Sequence, residues 1–191
     1  SQVVKSKLEA QHYGSIFDIT ERRVNQINLQ YLNTHDQLTG LHNRRHFVQL
    51  LNEKITQSNV DDAKFALFYI DVDQFKIIND TCGHTAGDVF IKELAHEIYD
   101  ECEPGAIFAR LSADEFGLIV DYQDDRIIQD ATQKILSKVR RFEFKWDRHR
   151  FNQSVSIGIA KHELNTVSAE ELLSFADTAC IVAKESGRDK V

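Results

Sequence analysis

The chain has 191 residues, 42% hydrophobic and 28% charged, enough to bury a core and ordinary for a globular fold. Its net charge of −7 excludes the basic footprint that sequence-independent nucleic-acid binding requires. No apolar stretch approaches the roughly 20 residues of a membrane span, and the first residues lack a signal-type apolar run.

No nucleic-acid partner and no direct membrane contact are therefore expected. Cys82, Cys102 and Cys180 show no metal-type spacing and fit reduced thiols in a cytoplasmic setting.

Residues 1–20 end in a short β-like run, Gly14 to Thr20, and Thr20 is a plausible N-cap for a polar helix over 21–35. Its thin stripe of Val24, Ile27 and Tyr31 suits a linker or coiled-coil helix better than a core helix. Residues 1–35 are read as this linker and 36–191 as the globular domain. An amphipathic helix is predicted over Asn43–Ser58, with Phe47, Leu50, Leu51 and Ile55 on one face. The near-continuous apolar run Lys64–Val72 predicts a strand buried on both faces.

Helices are predicted at Gln74–Asn79 and Thr85–Glu101. Ile107–Leu111 and Phe116–Val120 then read as a hairpin. A helix over Asp125–Arg141 and strands at Phe142–Trp146 and Gln153–Ala160 follow. The last helix, Ala169–Glu185, is capped by Ser168 with Gly187 past its end. A hairpin between helical crossovers predicts an α/β (α+β) sandwich of the ferredoxin-like kind, one mainly antiparallel sheet flanked by helices.

Two acidic clusters stand where strands should end: Asp71-Val72-Asp73, and Asp114-Glu115 in the hairpin turn. In the ferredoxin-like arrangement these rims converge, and paired oxygen ligands at a sheet edge can grip a hard divalent cation and its phosphates. Strand alternation points Asp71 and Asp73 the same way.

Asn79 and Asp88 offer the donors and acceptors that a guanine edge requires, or they simply cap helices. Lys184 and Arg188 close the last helix, where they suit its dipole or reach a triphosphate. Arg110 either orients the acids or faces solvent. There is no Ser-His-Asp or Cys-His constellation and no Walker-type glycine loop.

From Asp36 to Val191 the chain resembles the GGDEF domains, whose active members are diguanylate cyclases. The resemblance rests on Asp36-Gln37-Leu38-Thr39-Gly40-Leu41-His42-Asn43-Arg44-Arg45 and on Asp71-Val72-Asp73-Gln74-Phe75-Lys76-Ile77-Ile78-Asn79-Asp80. It continues through Gly83-His84-Thr85-Ala86-Gly87-Asp88 and ends with Ala183-Lys184-Glu185-Ser186-Gly187-Arg188. It implies the palm fold of nucleotidyl cyclases and a reaction joining two GTP into cyclic di-GMP within a homodimer of facing domains.

By the same resemblance, Asp71, the Val72 carbonyl and Asp114 hold Mg²⁺ or Mn²⁺, with Asp114, Glu115 and Lys76 catalytic. Asn79 and Asp88 read guanine, Phe75, Ser112 and Ala113 line the nucleotide, and Lys184 and Arg188 steady its phosphates. The stretch before residue 36 is similar to the connector from a PAS sensor domain. The run Asp177-Thr178-Ala179-Cys180 with Ala183-Lys184 resembles proteins in which an EAL phosphodiesterase domain follows.

Two departures stand out. Ser112-Ala113 replaces the two glycines of the family's signature turn; if Ala113 must be left-handed, the strain is on the order of 1 kcal/mol. Glu103 and Ala106 occupy the positions of the inhibitory R-x-x-D pair, so no inhibitory product site is expected. The turn leaves a second function open: a module that holds GTP without cyclising it and regulates a linked phosphodiesterase domain.

Overall fold

The computed structural model describes residues 31–61, 63–162 and 168–191. After a helical turn at 31–34 the chain runs β1 (His42–Asn43), α1 (Arg44–Asp61), β2 (Phe65–Val72), α2 (Phe75–Cys82), α3 (His84–Tyr99) and β3 (Ile107–Arg110). It continues with β4 (Glu115–Asp121), α4 (Asp125–Arg141), β5 (Phe144–Trp146), β6 (His149–Phe151), β7 (Val155–His162) and α5 (Ala169–Glu185). The proposed helix over 21–35 lies mostly outside the described residues.

The main sheet has the order β1-β3-β4-β2-β7, antiparallel except for the β1–β3 pair. β2 is its centre, and every one of its eight residues is buried. Alternation along β2 sorts those residues into two cores. Ala66, Phe68, Ile70 and Val72 pack with α2, α3 and α4 through Ile78, Phe90, Leu94 and Ile135. Phe65, Leu67 and Tyr69 pack with Phe47 and Leu51 of α1 and Leu172 and Ala176 of α5. Each large side chain buried this way contributes about 1.5–3 kcal/mol. The result is the ferredoxin-like α/β sandwich, extended by β1.

Local chemistry sets the boundaries. Gln74 is left-handed at φ 58°, so α2 starts at Phe75 rather than at Gln74. Gly83, at φ 84°, closes α2 and opens α3, a turn for which glycine carries no Cβ penalty. Asp124 caps α4 by accepting from the Arg126 amide, and Ser168 with Glu171 forms a complete capping box on α5.

The strand expected over Gln153–Ala160 lies at Val155–His162, following β2 to its far end. β6 and β1 are absent from the sequence reading. β6 pairs only with β5, forming a separate two-stranded sheet turned at Asp147, φ 51°. Among the described residues no helix is long and apolar enough to cross a membrane.

α5 sits unusually close to the sheet. A Cβ on Gly158 of β7 would lie 1.9 Å from the Ala176 carbonyl oxygen and 2.3 Å from the Cys180 nitrogen. The Cys180 thiol also donates to the Ser156 carbonyl at 3.3 Å. This contact brings the end of α5, one turn beyond Cys180, over the rim of β2.

Candidate active site

At the C-terminal end of β2 the strand register places Asp71 opposite Glu115 on β4, and the Val72 amide donates to the Asp114 carbonyl at 3.0 Å. The two acidic clusters are thus one rim. Asp71 and Asp73 continue the Tyr69 side of β2 towards α5, as alternation requires, yet they take different partners.

Asp71 pairs with Lys184, Nζ to Oδ2 2.5 Å. Asp73 accepts from the hydroxyls of Ser154 (2.6 Å) and Ser156 (2.8 Å) and from the Asp189 amide (3.2 Å). These bonds occupy both oxygens of Asp73 and leave Asp71 as the candidate ligand.

The electrostatics follow from burial. Asp71 is 7% exposed, and burial lifts its carboxyl to about 6 although Lys184 pulls it down; Asp114 and Glu115 add to the rise. Burial and then Glu115 also raise the Asp114 carboxyl. Burial works against the Lys184 ammonium, but its contact with Asp71 outweighs that and holds it up. The Tyr69 hydroxyl, pushed up by burial and then by Glu115, faces the same rim together with Asp177. Tyr69 escaped the sequence reading; its signal was the alternation that puts it on the Asp71 face.

The signature turn spans Leu111–Asp114 and is closed by the Leu111 and Ser112 amides donating to the Glu115 carbonyl at 2.8 and 3.3 Å. Neither Ser112 nor Ala113 has positive φ, so the left-handed strain anticipated at Ala113 does not arise. Arg110 fixes the turn from behind: one Nη donates to the Ala113 carbonyl at 2.7 Å, the other reaches the Asp36 carboxylate at 3.2 and 3.4 Å.

Asp36 also accepts from the Thr39 amide and hydroxyl at 2.9 and 2.8 Å. Although burial opposes it, these bonds and Arg110 hold Asp36 below its usual range. The opening motif and the signature turn are therefore one polar unit, and Arg110 does not face solvent.

Asn79 on α2 and Asp88 in the first turns of α3 lie on adjoining helices. Gly87 makes their proximity possible: a Cβ there would lie 2.0 Å from the Asn79 Oδ1 and 3.1 Å from Phe75. Asn79 is half-buried, while Asp88, Lys76, Ser112 and Ala113 are exposed at the surface. The N-cap positions of the two helices are Gln74 and Gly83, so neither Asn79 nor Asp88 is an N-cap.

Arg188 follows α5 with its Nε 4.0 Å from Asp73. Away from this rim, Glu103 pairs with Lys134 at 3.5 Å beside a cavity of about 320 Å³ that Ala106 also lines.

The donor set suits a hard divalent cation. It offers two carboxylates, Asp71 and Asp114, whose burial disfavours their ionised forms, so a cation would relieve both. Among the described residues no three His, Cys, Asp or Glu side chains already enclose a metal position. Two carboxylates are enough for Mg²⁺, which takes one or two and fills its shell with water and substrate phosphates.

Comparison with known proteins agrees with this geometry. The family described as "Diguanylate cyclase, GGDEF domain" matches residues 33–190. The chain is 34% identical over 189 residues to the probable diguanylate cyclase DgcE of Escherichia coli K12, covering 97% of this chain and 17% of that protein. It is 34% identical over 174 residues to the cyclic di-GMP phosphodiesterase PdeB of Shewanella oneidensis, covering 91% of this chain and 20% of that one. The chain thus spans about a fifth of these curated relatives.

Among solved structures, the coiled coil and GGDEF domain of DgcB from Caulobacter crescentus, in complex with c-di-GMP, superposes with TM-score 0.83. Its identity is 26%, and the match covers 91% of this chain and 92% of that one. The palm-like sheet, the convergent acidic rim and the matched motifs lead to one assignment: the chain belongs to the GGDEF domain family of diguanylate cyclases.

Proposed function

We propose that this domain condenses two GTP into cyclic di-GMP as one half of a facing pair of identical domains. The observation that carries the reading is the convergence of Asp71, Asp114 and Glu115 at a single rim, with Lys184 among them. In each of two equivalent attacks, a ribose 3′-oxygen bonds to the α-phosphorus of the opposite GTP. The bond from that phosphorus to the β-phosphate oxygen breaks, and pyrophosphate leaves. Because each domain holds one GTP, the encounter is isologous, with a two-fold axis between the sites.

Asp71, the Val72 carbonyl and Asp114 would hold Mg²⁺ or Mn²⁺, which supplies charge neutralisation at the α-phosphate and lowers the pKa of the attacking hydroxyl. Asn79 and Asp88 bind the guanine edge: the carboxylate accepts from the ring N–H and amino groups, and the amide meets the remaining donor or acceptor. Phe75 packs beneath them. Lys76, Lys184 and Arg188 present an ammonium, a second ammonium and a forked guanidinium to the triphosphate. Glu115, opposite Asp71 in the ladder, would accept the attacking hydroxyl's proton, a role that its place on the same rim supports. Ser112 and Ala113, held by Arg110, form the floor against which the nucleotide lies.

Purified protein incubated with GTP and Mg²⁺ or Mn²⁺ should release pyrophosphate and cyclic di-GMP, separable by chromatography. Asp114→Asn should abolish both products; unchanged turnover would reject the assignment. A second reading draws support from the Ser112-Ala113 turn and from PdeB, a relative named as a phosphodiesterase. In it, the domain binds GTP without cyclising it and controls a linked catalytic domain, such as an EAL domain. GTP binding without turnover would favour it. The wider arrangement, with a PAS domain before residue 36 and a cytoplasmic location, belongs to the same proposal.

A further inference from the structure

We infer that Asp73 is a positioning residue for the phosphate-facing end of α5: its buried carboxylate anchors the strained strap 187–190 that carries Arg188 to the site. The inference rests on the GTP-binding reading above.

Three consecutive residues in this strap, Gly187 (φ 117°), Arg188 (φ 61°) and Asp189 (φ 51°), have positive φ. Glycine adopts that backbone freely, whereas Arg and Asp each lose roughly 1 kcal/mol by doing so. Such a stretch persists only where its surroundings hold it.

The surroundings here are specific. Asp73 is 3% exposed; its Oδ2 accepts from the Asp189 amide and the Ser154 hydroxyl, and its Oδ1 from the Ser156 hydroxyl. Arg140 on α4 grips the strap from outside. Its Nε donates to both Asp189 carboxylate oxygens at 2.9 Å, and one Nη donates to the Asp189 carbonyl at 3.0 Å. The Ile157 amide of edge strand β7 donates to the Lys190 carbonyl at 2.9 Å, so the strap continues the sheet.

A carboxylate buried this deeply costs several kcal/mol unless its charge is met, and these donors with Arg188 at 4.0 Å meet it. Its Oδ2 holds the strap through the Asp189 amide, two residues from the candidate ligand Asp71. Asp73 thus couples the rim of β2 to the guanidinium that faces the phosphates. Nothing in this arrangement brings Asp73 to the nucleotide itself.

The test uses Asp73→Asn and, because that buried change threatens folding, Arg140→Ala, whose side chain is 47% exposed. Binding of a non-hydrolysable GTP analogue with Mg²⁺ is measured by calorimetry, and amide exchange at Asp189 and Ile157 by NMR. Both variants should accelerate exchange at those two amides and weaken nucleotide binding about tenfold, the scale of one charge-assisted hydrogen bond.

In an Arg188→Ala background, Asp73→Asn should weaken binding by less than about twofold further, because it acts through Arg188. Losses that multiply across that pair, unchanged exchange, or unchanged affinity in a folded variant would each overturn the inference. Wild-type protein that binds no GTP analogue sinks the functional reading and this inference with it. Wild-type binding with equal affinity in both variants sinks this inference alone.

Discussion

The Lys184 ammonium lies 2.5 Å from Asp71 Oδ2, so a cation from the last helix already occupies the side of the carboxylate that the rim presents. The pair is close, yet Asp71 remains a carboxyl lifted to about 6 by its burial. Its folded-state pKa exceeds the ordinary value, so the native state binds more protons than the unfolded chain between pH 4 and 6.

The Asp71 contribution is therefore fully present below about pH 4, is lost as pH rises to about 6, and stays lost above. Asp71→Asn mimics the protonated form. It should stabilise the metal-free protein at pH 7.5 by on the order of 1–3 kcal/mol in urea denaturation, with no gain near pH 4. A destabilised variant at pH 7.5 would mean that the Lys184 contact outweighs the burial of Asp71.

Gly87→Ala tests the proposed guanine-reading role of Asn79 without substituting Asn79 or Asp88. Alanine is the better helix former by about 1 kcal/mol, and on propensity alone a glycine inside α3 would profit from the change. Here the new methyl would lie 2.0 Å from the Asn79 amide oxygen, so the amide must swing away. GTP affinity should fall about tenfold and discrimination against ATP should narrow, measured by competition binding. An unchanged GTP-to-ATP preference would remove Asn79 from the recognition set.

Gly158→Ala probes the seat of α5. Its Cβ would meet backbone, the Ala176 carbonyl and the Cys180 nitrogen, and backbone cannot rotate aside as a side chain does. The helix must lift from β7, at a cost of roughly 3 kcal/mol or more in denaturant unfolding. Lys184 should withdraw from Asp71 as it lifts. A loss below about 1 kcal/mol would show that α5 tolerates a looser seat than the structure has.

Restoring glycine in the signature turn should not strengthen the fold. Ser112 and Ala113 both keep negative φ, so Ser112→Gly with Ala113→Gly relieves no strain and adds unfolded-state entropy. We expect a loss of about 0.5–1 kcal/mol per site. Any gain in turnover would then come from room beside the nucleotide rather than from a relaxed backbone. A stabilised double variant would contradict the observed turn geometry.

Much of the sandwich was legible because its elements carry strong local signals. β2 is apolar on both faces, α5 has a capping box, and the hairpin is bounded by a short polar turn. What escaped has weak or distant signals. β6 is three residues of mostly polar character turned at Asp147, without an Asn-Gly or Asp-Gly pair to announce it. β1 has two residues and exists only because β3 offers an edge.

At the rim, side-chain direction was readable from alternation, but partners were not. Asp73 meets serines 81 and 83 residues away and an amide 116 residues away, separations that no local pattern encodes. Arg110 reaches Asp36 across 74 residues for the same reason.

The brevity of β1 has a mechanical consequence. Asn43 lies opposite Arg110 in the parallel pair, its side-chain Nδ2 donates to the Asn33 carbonyl at 3.0 Å, and His35 pairs with His42 in an isolated β-bridge. Residues 31–35 are therefore tied to β1, and β1 lies beside the arginine whose side chain grips the turn at Ala113. The entry to the domain thus behaves as a splint: a displacement of residues 33–35 is carried through His42 and Asn43 to the edge of the sheet.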